Sequence, residues 1–146
     1  MPKIGRAFSL LLASALLCVL SGLAAAAPVN RGAINQVSQL ILNSFEYLSE
    51  KKDTRAARAE CEKALQLEEK FDSDPFISAT VNVCFGDVED YEENKAAACQ
   101  HYNEALKEFH ATPAKHPAQR VLRNQIKAVE GKIFYLSCST GSAEKK

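Results

Sequence analysis

The sequence predicts an all-α protein built from antiparallel helical hairpins. Apolar residues recur at steps of four, seven, eight and eleven, which places them on one face of a helix. The chain has few β-branched runs and no Asn-Gly hairpin signal, so nothing in it favours a sheet. The pattern is clearest between Pro75 and Pro113, where two apolar stripes are separated only by the polar link Glu92-Glu93-Asn94. Two amphipathic helices joined by so short a link must fold back on each other.

The first 27 residues are typical of a secretory signal peptide. Lys3 and Arg6 precede the apolar run from Phe8 to Leu23, and four alanines follow immediately before Pro28. The apolar run is short for a stable membrane span. We therefore expect cleavage and export, to the periplasm or out of the cell, with an uncleaved N-terminal anchor as the alternative.

Removal of this segment leaves residues 28–138 as one small helical domain, followed by a tail, 139–146, that we expect to be disordered. The whole chain has 18 basic and 18 acidic residues, and loss of Lys3 and Arg6 gives the mature chain a net charge of −2. A protein that binds nucleic acid or an anionic membrane needs a basic face. The composition therefore argues against both of these partners.

The first hairpin is predicted from two short stripes. Its first helix should run from about Ala33 to Glu50, with Asn30 as N-cap, and Asp53 or Thr54 should cap its second helix. The predicted buried residues are Ile34, Val37, Ile41, Phe45 and Leu48 in the first helix, and Ala57, Cys61, Ala64 and Leu65 in the second.

The second hairpin should begin with Asp74 as N-cap and Pro75 at the first helical position. Two prolines then separate it from a last helix, in which we expect Gly131 to allow close approach of a neighbouring helix. We interpret this last helix as a cap with a polar outer face. The predicted buried residues are Ile77, Val81, Cys84, Phe85 and Val88, then Ala98, Tyr102, Ala105, Leu106 and Phe109, and finally Leu122, Ile126, Val129, Ile133 and Leu136.

Small and large residues in the second hairpin alternate in a known order. Phe85-Gly86, Ala98, Tyr102 and Ala105 have the spacing of Leu-Gly, Ala, an aromatic residue and Ala in a tetratricopeptide (TPR) repeat, and this part of the chain resembles that family. The first hairpin resembles a degenerate repeat, in which Ala57 and Ala64 match and Cys61 replaces the aromatic residue. The resemblance implies hairpins stacked as a short TPR-like superhelix, with small residues such as Ala57, Gly86 and Ala98 where helices approach.

Four cysteines, Cys61, Cys84, Cys99 and Cys138, remain after signal removal, and an even number in a small exported domain suggests two disulfides. Cys61 and Cys84 are equally distant from the loop between the hairpins, whereas Cys84 and Cys99 are nearly equidistant from the turn within the second hairpin. We favour Cys61–Cys84 with Cys99–Cys138, because the alternative requires the C-terminus to reach back to the second helix. A free core cysteine remains the other interpretation.

No pattern indicates an enzyme or a metal site. Cys99 and His101 are two residues apart and point to different sides of a helix, and His110 lies on yet another face. The chain has no Cys-x-x-Cys pair, Gly-rich phosphate loop or His-Glu-x-x-His motif. We therefore expect no catalytic residues and no cofactor, and we expect all three histidines, including His116, to lie at the surface near helix ends.

The TPR resemblance implies that the first helices of the two hairpins line a concave face that binds an extended or helical peptide. The matching positions are Gln39, Leu42, Asn43, Glu46 and Ser49 in the first hairpin, and Thr80, Val83, Asp87, Asp90 and Tyr91 in the second. Because Glu46, Asp87 and Asp90 are acidic, we expect a neutral or basic protein segment as partner, bound by a non-enzymatic adaptor.

The alternative function is that of a helical carrier for a small apolar ligand, which would require an internal cavity. Such a cavity would be lined by Phe45, Phe85, Tyr102, Phe109 and Phe134.

Overall fold

A computed structural model describes residues 31–71 and 74–139, and within these ranges the chain is helical and has no strand. The all-α prediction is therefore confirmed. The expected signal peptide, the Asn30 cap and residues 140–146 lie outside the described residues. The helices are α1 (Arg31–Glu46), α2 (Thr54–Glu68), α3 (Pro75–Tyr91), α4 (Lys95–Ala111) and α5 (Gln119–Tyr135), and one π-helical turn, Tyr47–Lys51, extends α1.

The helices pack in the order of the chain. The most extensive contacts lie within the α1/α2 and α3/α4 pairs, as expected of hairpins. The first pair contacts the second through α2 and α3 and also through α1 and α3, and α5 packs on α4. The fold is thus two adjacent hairpins with a fifth helix against the second.

Small residues are buried where the helices meet. Ala57 and Ala98 have no exposed surface, and Gly86 is buried on α3. A Cβ atom added at Gly86 would lie 2.5 Å from Cε1 and 2.7 Å from Cδ1 of Tyr102 on α4, so only glycine leaves room for the ring. Tyr102 has no exposed surface and fills the contact between α3 and α4.

Both disulfides favoured by the sequence are present. Cys61–Cys84 joins α2 to α3 with a Cα–Cα distance of 5.7 Å, and its two cysteines are buried. Cys99–Cys138 joins α4 to the segment after α5 with a Cα–Cα distance of 5.4 Å, and both of its cysteines are half-buried. Each disulfide therefore connects neighbouring units of the fold.

Three residues predicted to face the interior lie elsewhere. Phe45 is 61% exposed because Ser44 takes the buried position and its Oγ lies 3.4 Å from Cys61 Sγ on α2. Leu65 is partly exposed, since Ala64 beside it occupies the contact with the core. A Cβ at Gly131 would meet nothing within 4 Å, so this glycine permits no close approach.

The outer face of α5 is less polar than predicted. Phe134 and Tyr135 are exposed by 86% and 82%, the highest values among the large apolar residues that the structure describes. The sequence stripe ends one position away, at Ile133 and Leu136, which face α4 and its surroundings. The last turn of α5 therefore presents aromatic rings to solvent.

His116 is buried, contrary to the prediction that all three histidines lie at the surface. Its Nδ1 accepts a hydrogen bond from the Ala118 amide, so its Nε2 carries the proton and donates to Asp74 Oδ2 at 3.0 Å. The ring also stacks on Phe76 with a centroid distance of 5.4 Å. The link between α4 and α5 is thereby fixed to the start of α3.

The Asp74 side chain both caps α3 and binds His116, so we expect its removal to lower stability by an unusually large amount. Its Oδ1 accepts from the amides of Phe76 and Ile77, while its Oδ2 accepts from His116. We expect Asp74→Ala to lower the free energy of unfolding by about 2 to 3 kcal/mol, from the cap and the buried hydrogen bond together. Urea unfolding checks this value.

Asp53→Ala is the matched control for this measurement. Asp53 caps α2 through the Ala56 amide at 2.9 Å, and its side chain has no second hydrogen bond to the residues that the structure describes. Its loss should cost about 1 kcal/mol. Equal costs at Asp53 and Asp74 would show that the His116 bond contributes nothing.

Candidate functional site

A solvent-open cleft of about 270 Å³ lies where the C-terminal parts of α1 and α3 meet a lysine of α5. Four residues of the predicted concave face, Ser49, Asp87, Asp90 and Tyr91, line it together. The remaining lining residues are Phe45, Leu48 and Lys132. The structure thus brings the C-terminal portion of the predicted face into one place.

The other predicted residues of the second hairpin are occupied by internal contacts. The Thr80 hydroxyl donates to the Phe76 carbonyl, and Val83 is half-buried against the core around Tyr102. Neither residue lines the cleft.

On α1, two of the predicted residues form a polar chain towards α2. Gln39 donates to Asn43 at 3.0 Å, and Asn43 donates in turn to the buried carboxylate of Glu60. Glu46 pairs with Lys51 at 2.7 Å at the surface. Leu42 is 61% exposed and, three residues before Phe45, lies on the same side of α1. Leu42 and Phe45 therefore form an apolar surface that leads to the cleft.

The end of α1 is not regular α-helix where it lines the cleft. The turn Tyr47–Lys51 is π-helical, and Lys52 closes it with a positive φ of 53°. The Ser49 hydroxyl donates to the Phe45 carbonyl at 2.8 Å. Because a π-turn changes the angular spacing of side chains, it decides how Leu48 and Ser49 are placed at the cleft.

Asp87 connects three helices at the base of the cleft. Its Oδ1 accepts from the Tyr102 hydroxyl of α4 and from Lys132 Nζ of α5, each at 2.6 Å. Lys132 Nζ also lies 5.3 Å from the centroid of the Tyr102 ring. Asp87 was predicted to bind a partner protein. Its carboxylate instead accepts hydrogen bonds from two side chains of this chain.

Burial raises the pKa of Tyr102 well above its ordinary value, and the negative charge of Asp87 raises it further. The folded protein therefore keeps this hydroxyl protonated where an unfolded chain, with a tyrosine pKa of about 10, would lose the proton. The contribution to stability is complete below pH 10 and is lost as the pH rises towards the folded pKa.

We expect the free energy of unfolding to fall above pH 10 by about 1.4 kcal/mol per pH unit more in the natural protein than in Tyr102→Phe. The variant shares every other titrating group, so the difference isolates this hydroxyl. Urea unfolding between pH 7 and 11 measures both slopes. Parallel slopes would mean that Tyr102 ionises equally easily in the folded state.

The carboxylate of Asp90, unlike that of Asp87, is not paired with another described side chain. It is partly exposed at the cleft and forms no hydrogen bond or ion pair through its side chain with the residues that the structure describes. Tyr91 beside it is 40% exposed, and Lys52 Nζ lies 5.7 Å from the centroid of its ring. Together with Phe45, these groups give the cleft two aromatic walls and one available negative charge.

Sequence reasoning missed three cleft residues, Phe45, Leu48 and Lys132, although it placed Leu48 correctly in the core. Phe45 was assigned to the core, although a stripe through Val37, Ser44 and Leu48 fits helical spacing equally well and leaves it outside. No local signal could have paired Lys132 with Asp87, because the two are 45 residues apart.

Cys99, His101 and His110, the side chains considered for a metal site, lie in different environments. Cys99 is in a disulfide, and His110 is exposed. His101 is half-buried, where it stacks on Phe85 and bonds to Asn82, and burial lowers its pKa. Groups of three or more metal-binding side chains are absent from residues 31–71 and 74–139.

The five aromatic residues considered for an apolar carrier do not surround one space. Phe45 and Phe134 are exposed, whereas Tyr102 and Phe109 are buried with Phe76 in a packed cluster. An apolar surface groove of about 580 Å³ lies beside α5. It is lined by Leu106, Glu130, Ile133, Phe134, Ser137 and Cys138.

The fold and the cleft define the class: an all-α protein of packed helical hairpins, with an open aromatic and acidic cleft between the first helices of the two hairpins. No family model, curated protein or solved structure matches the chain. The likeness to TPR proteins therefore rests on the repeat-like residues of α3 and α4. Within the described part of the chain, no helix is both long and apolar enough to cross a bilayer.

Proposed function

We propose that this chain is an exported, non-enzymatic interaction module of TPR-like type, which binds a peptide segment of a partner protein on the face formed by α1 and α3. The observation that carries this proposal is the exposure of large apolar side chains there. Leu42 and Phe45 are each 61% exposed, and Tyr91 is 40% exposed. Clustered apolar groups beside a cleft are typical of a surface that is covered by a partner.

Export is supported by the oxidised cysteines. Two disulfides in a domain of this size are typical of an oxidising compartment, and the N-terminal sequence has the composition of a secretory signal. A partner in the same compartment is the expected target.

Selection of displayed random peptides on the full, oxidised chain tests the binding function. We expect selected peptides to shift the NMR signals of Leu42, Phe45 and Tyr91. Phe45→Ser should weaken their binding about tenfold, because it removes a central apolar contact.

Leu65→Ser is the matched control, since Leu65 is an exposed leucine of α2 that does not line the cleft. It should leave affinity within about twofold. Failure to select any peptide, or equal losses in the two variants, would rule out this face as a peptide site.

A further inference from the structure

We propose that the cleft between α1 and α3 holds one basic side chain of the bound peptide, with its cationic group at Asp90 and its stem against Phe45 and Tyr91. This inference rests on the proposed function and specifies the partner's chemistry at one position. Three independent features of the cleft support it: its unpaired charge, its aromatic side chains and its volume.

The charge argument starts from the pairing of each ionic group at the cleft. Lys132 and Asp87 neutralise each other at 2.6 Å, and Lys132 is thus unavailable to an incoming anion. Asp90 remains without an ion pair among the described residues. An unpaired carboxylate at the edge of a cleft with mainly apolar walls attracts a cation more strongly than the same group in open water.

The walls suit a long basic side chain. Lysine and arginine have apolar stems that pack on hydrophobic surface, and their charged ends are attracted to aromatic faces. The Tyr91 ring already lies near one cation of the protein itself, because Lys52 Nζ is 5.7 Å from the ring centroid. This distance is at the outer limit of a favourable contact, and Lys52 is exposed, so a ligand's cation can replace it.

The size of the cleft favours a single side chain. Its volume of about 270 Å³ is below the usual range for a whole small-molecule ligand, which begins near 300 Å³. Arginine fits best, because its planar group can stack on an aromatic ring and form two parallel hydrogen bonds to a carboxylate.

The test uses peptides selected on the full, oxidised chain. We expect them to share one arginine or lysine, and replacement of that residue by citrulline, which has the shape of arginine without its charge, should weaken binding about tenfold. On Asp90→Asn the same replacement should change affinity by less than about twofold, since the charge partner is already absent. Lys52→Gln should strengthen binding of the basic peptide about twofold to threefold, because it removes a competing cation.

Glu62→Gln is the matched control, since it removes one carboxylate from the exposed part of α2, outside the cleft. It should retain the full citrulline effect. Peptides that bind at this face without a shared basic residue, or an equal citrulline effect on Asp90→Asn and the natural protein, would overturn this inference and leave the proposed function intact. If no peptide is selected, the proposed function fails and this inference fails with it.

Discussion

Gly86→Ala is expected to lower the free energy of unfolding by about 3 kcal/mol, although alanine is the better helix former. The new Cβ would lie 2.5 and 2.7 Å from two ring carbons of Tyr102, closer than carbon atoms can approach. The ring cannot retreat, because it is fully buried and its hydroxyl is bonded to Asp87. The α3 and α4 helices must therefore separate or shift. Thermal and urea unfolding measure the loss.

Gly131→Ala is the matched control for Gly86→Ala, because both replace a glycine inside a helix and only one has a neighbour in the way. A Cβ at Gly131 meets nothing within 4 Å, so the helix propensity of alanine should raise stability by about 1 kcal/mol. A stable Gly86→Ala variant would show that α3 and α4 do not meet as closely as their contact requires.

Replacement of both Cys61 and Cys84 by alanine is expected to cost about 3 to 5 kcal/mol. The disulfide joins residues 23 positions apart in the sequence. Its removal increases the conformational entropy of the unfolded chain, which lowers the free energy of unfolding by about 3 kcal/mol. Both sulfur atoms belong to fully buried residues in a cluster with Leu48, Ala57 and Val88, so the smaller alanines also leave a void. Urea unfolding of the oxidised variant measures the cost.

The two disulfides should also differ in their access to reductant. Cys99 and Cys138 are half-buried, whereas Cys61 and Cys84 are at most 1% exposed. Under native conditions dithiothreitol should open Cys99–Cys138 first, which alkylation and peptide mass mapping can follow. The opposite order would contradict the packing of α2 on α3.

The sequence was sufficient for features that depend on neighbouring residues. Asp53, Asp74 and Pro75 mark helix starts through their own side chains, and the structure confirms each of them. The small residue at Gly86 and the large one at Tyr102 indicated a close helix contact, because a ring needs a place without a Cβ. The preferred disulfide pairing is also confirmed: Cys61 and Cys84 are equally distant from the loop between α2 and α3, and Cys99 pairs with Cys138, which spares the C-terminus from reaching back to α2.

Features that depend on the orientation of whole helices were not predictable. Helical spacing restricts burial to a face but does not choose between adjacent positions, and Phe45 and Ser44 were exchanged for this reason. The bonds of His116 to Asp74 and of Lys132 to Asp87 span 42 and 45 residues. Only the packing of the helices brings such groups together. The hydrogen bonds of Asp87 to Tyr102 and Lys132 therefore could not be predicted from the sequence.

The placement of the disulfides affects how the protein can come apart. Chains of stacked helix pairs ordinarily fray from an end, since each pair contacts only its neighbours. Here one covalent bond ties the first pair to the second, and another ties the second pair to the segment that follows the last helix. Under mechanical tension or after a cut in the loop between α2 and α3, the pieces would stay attached, and the proposed binding face across both pairs would keep its spacing.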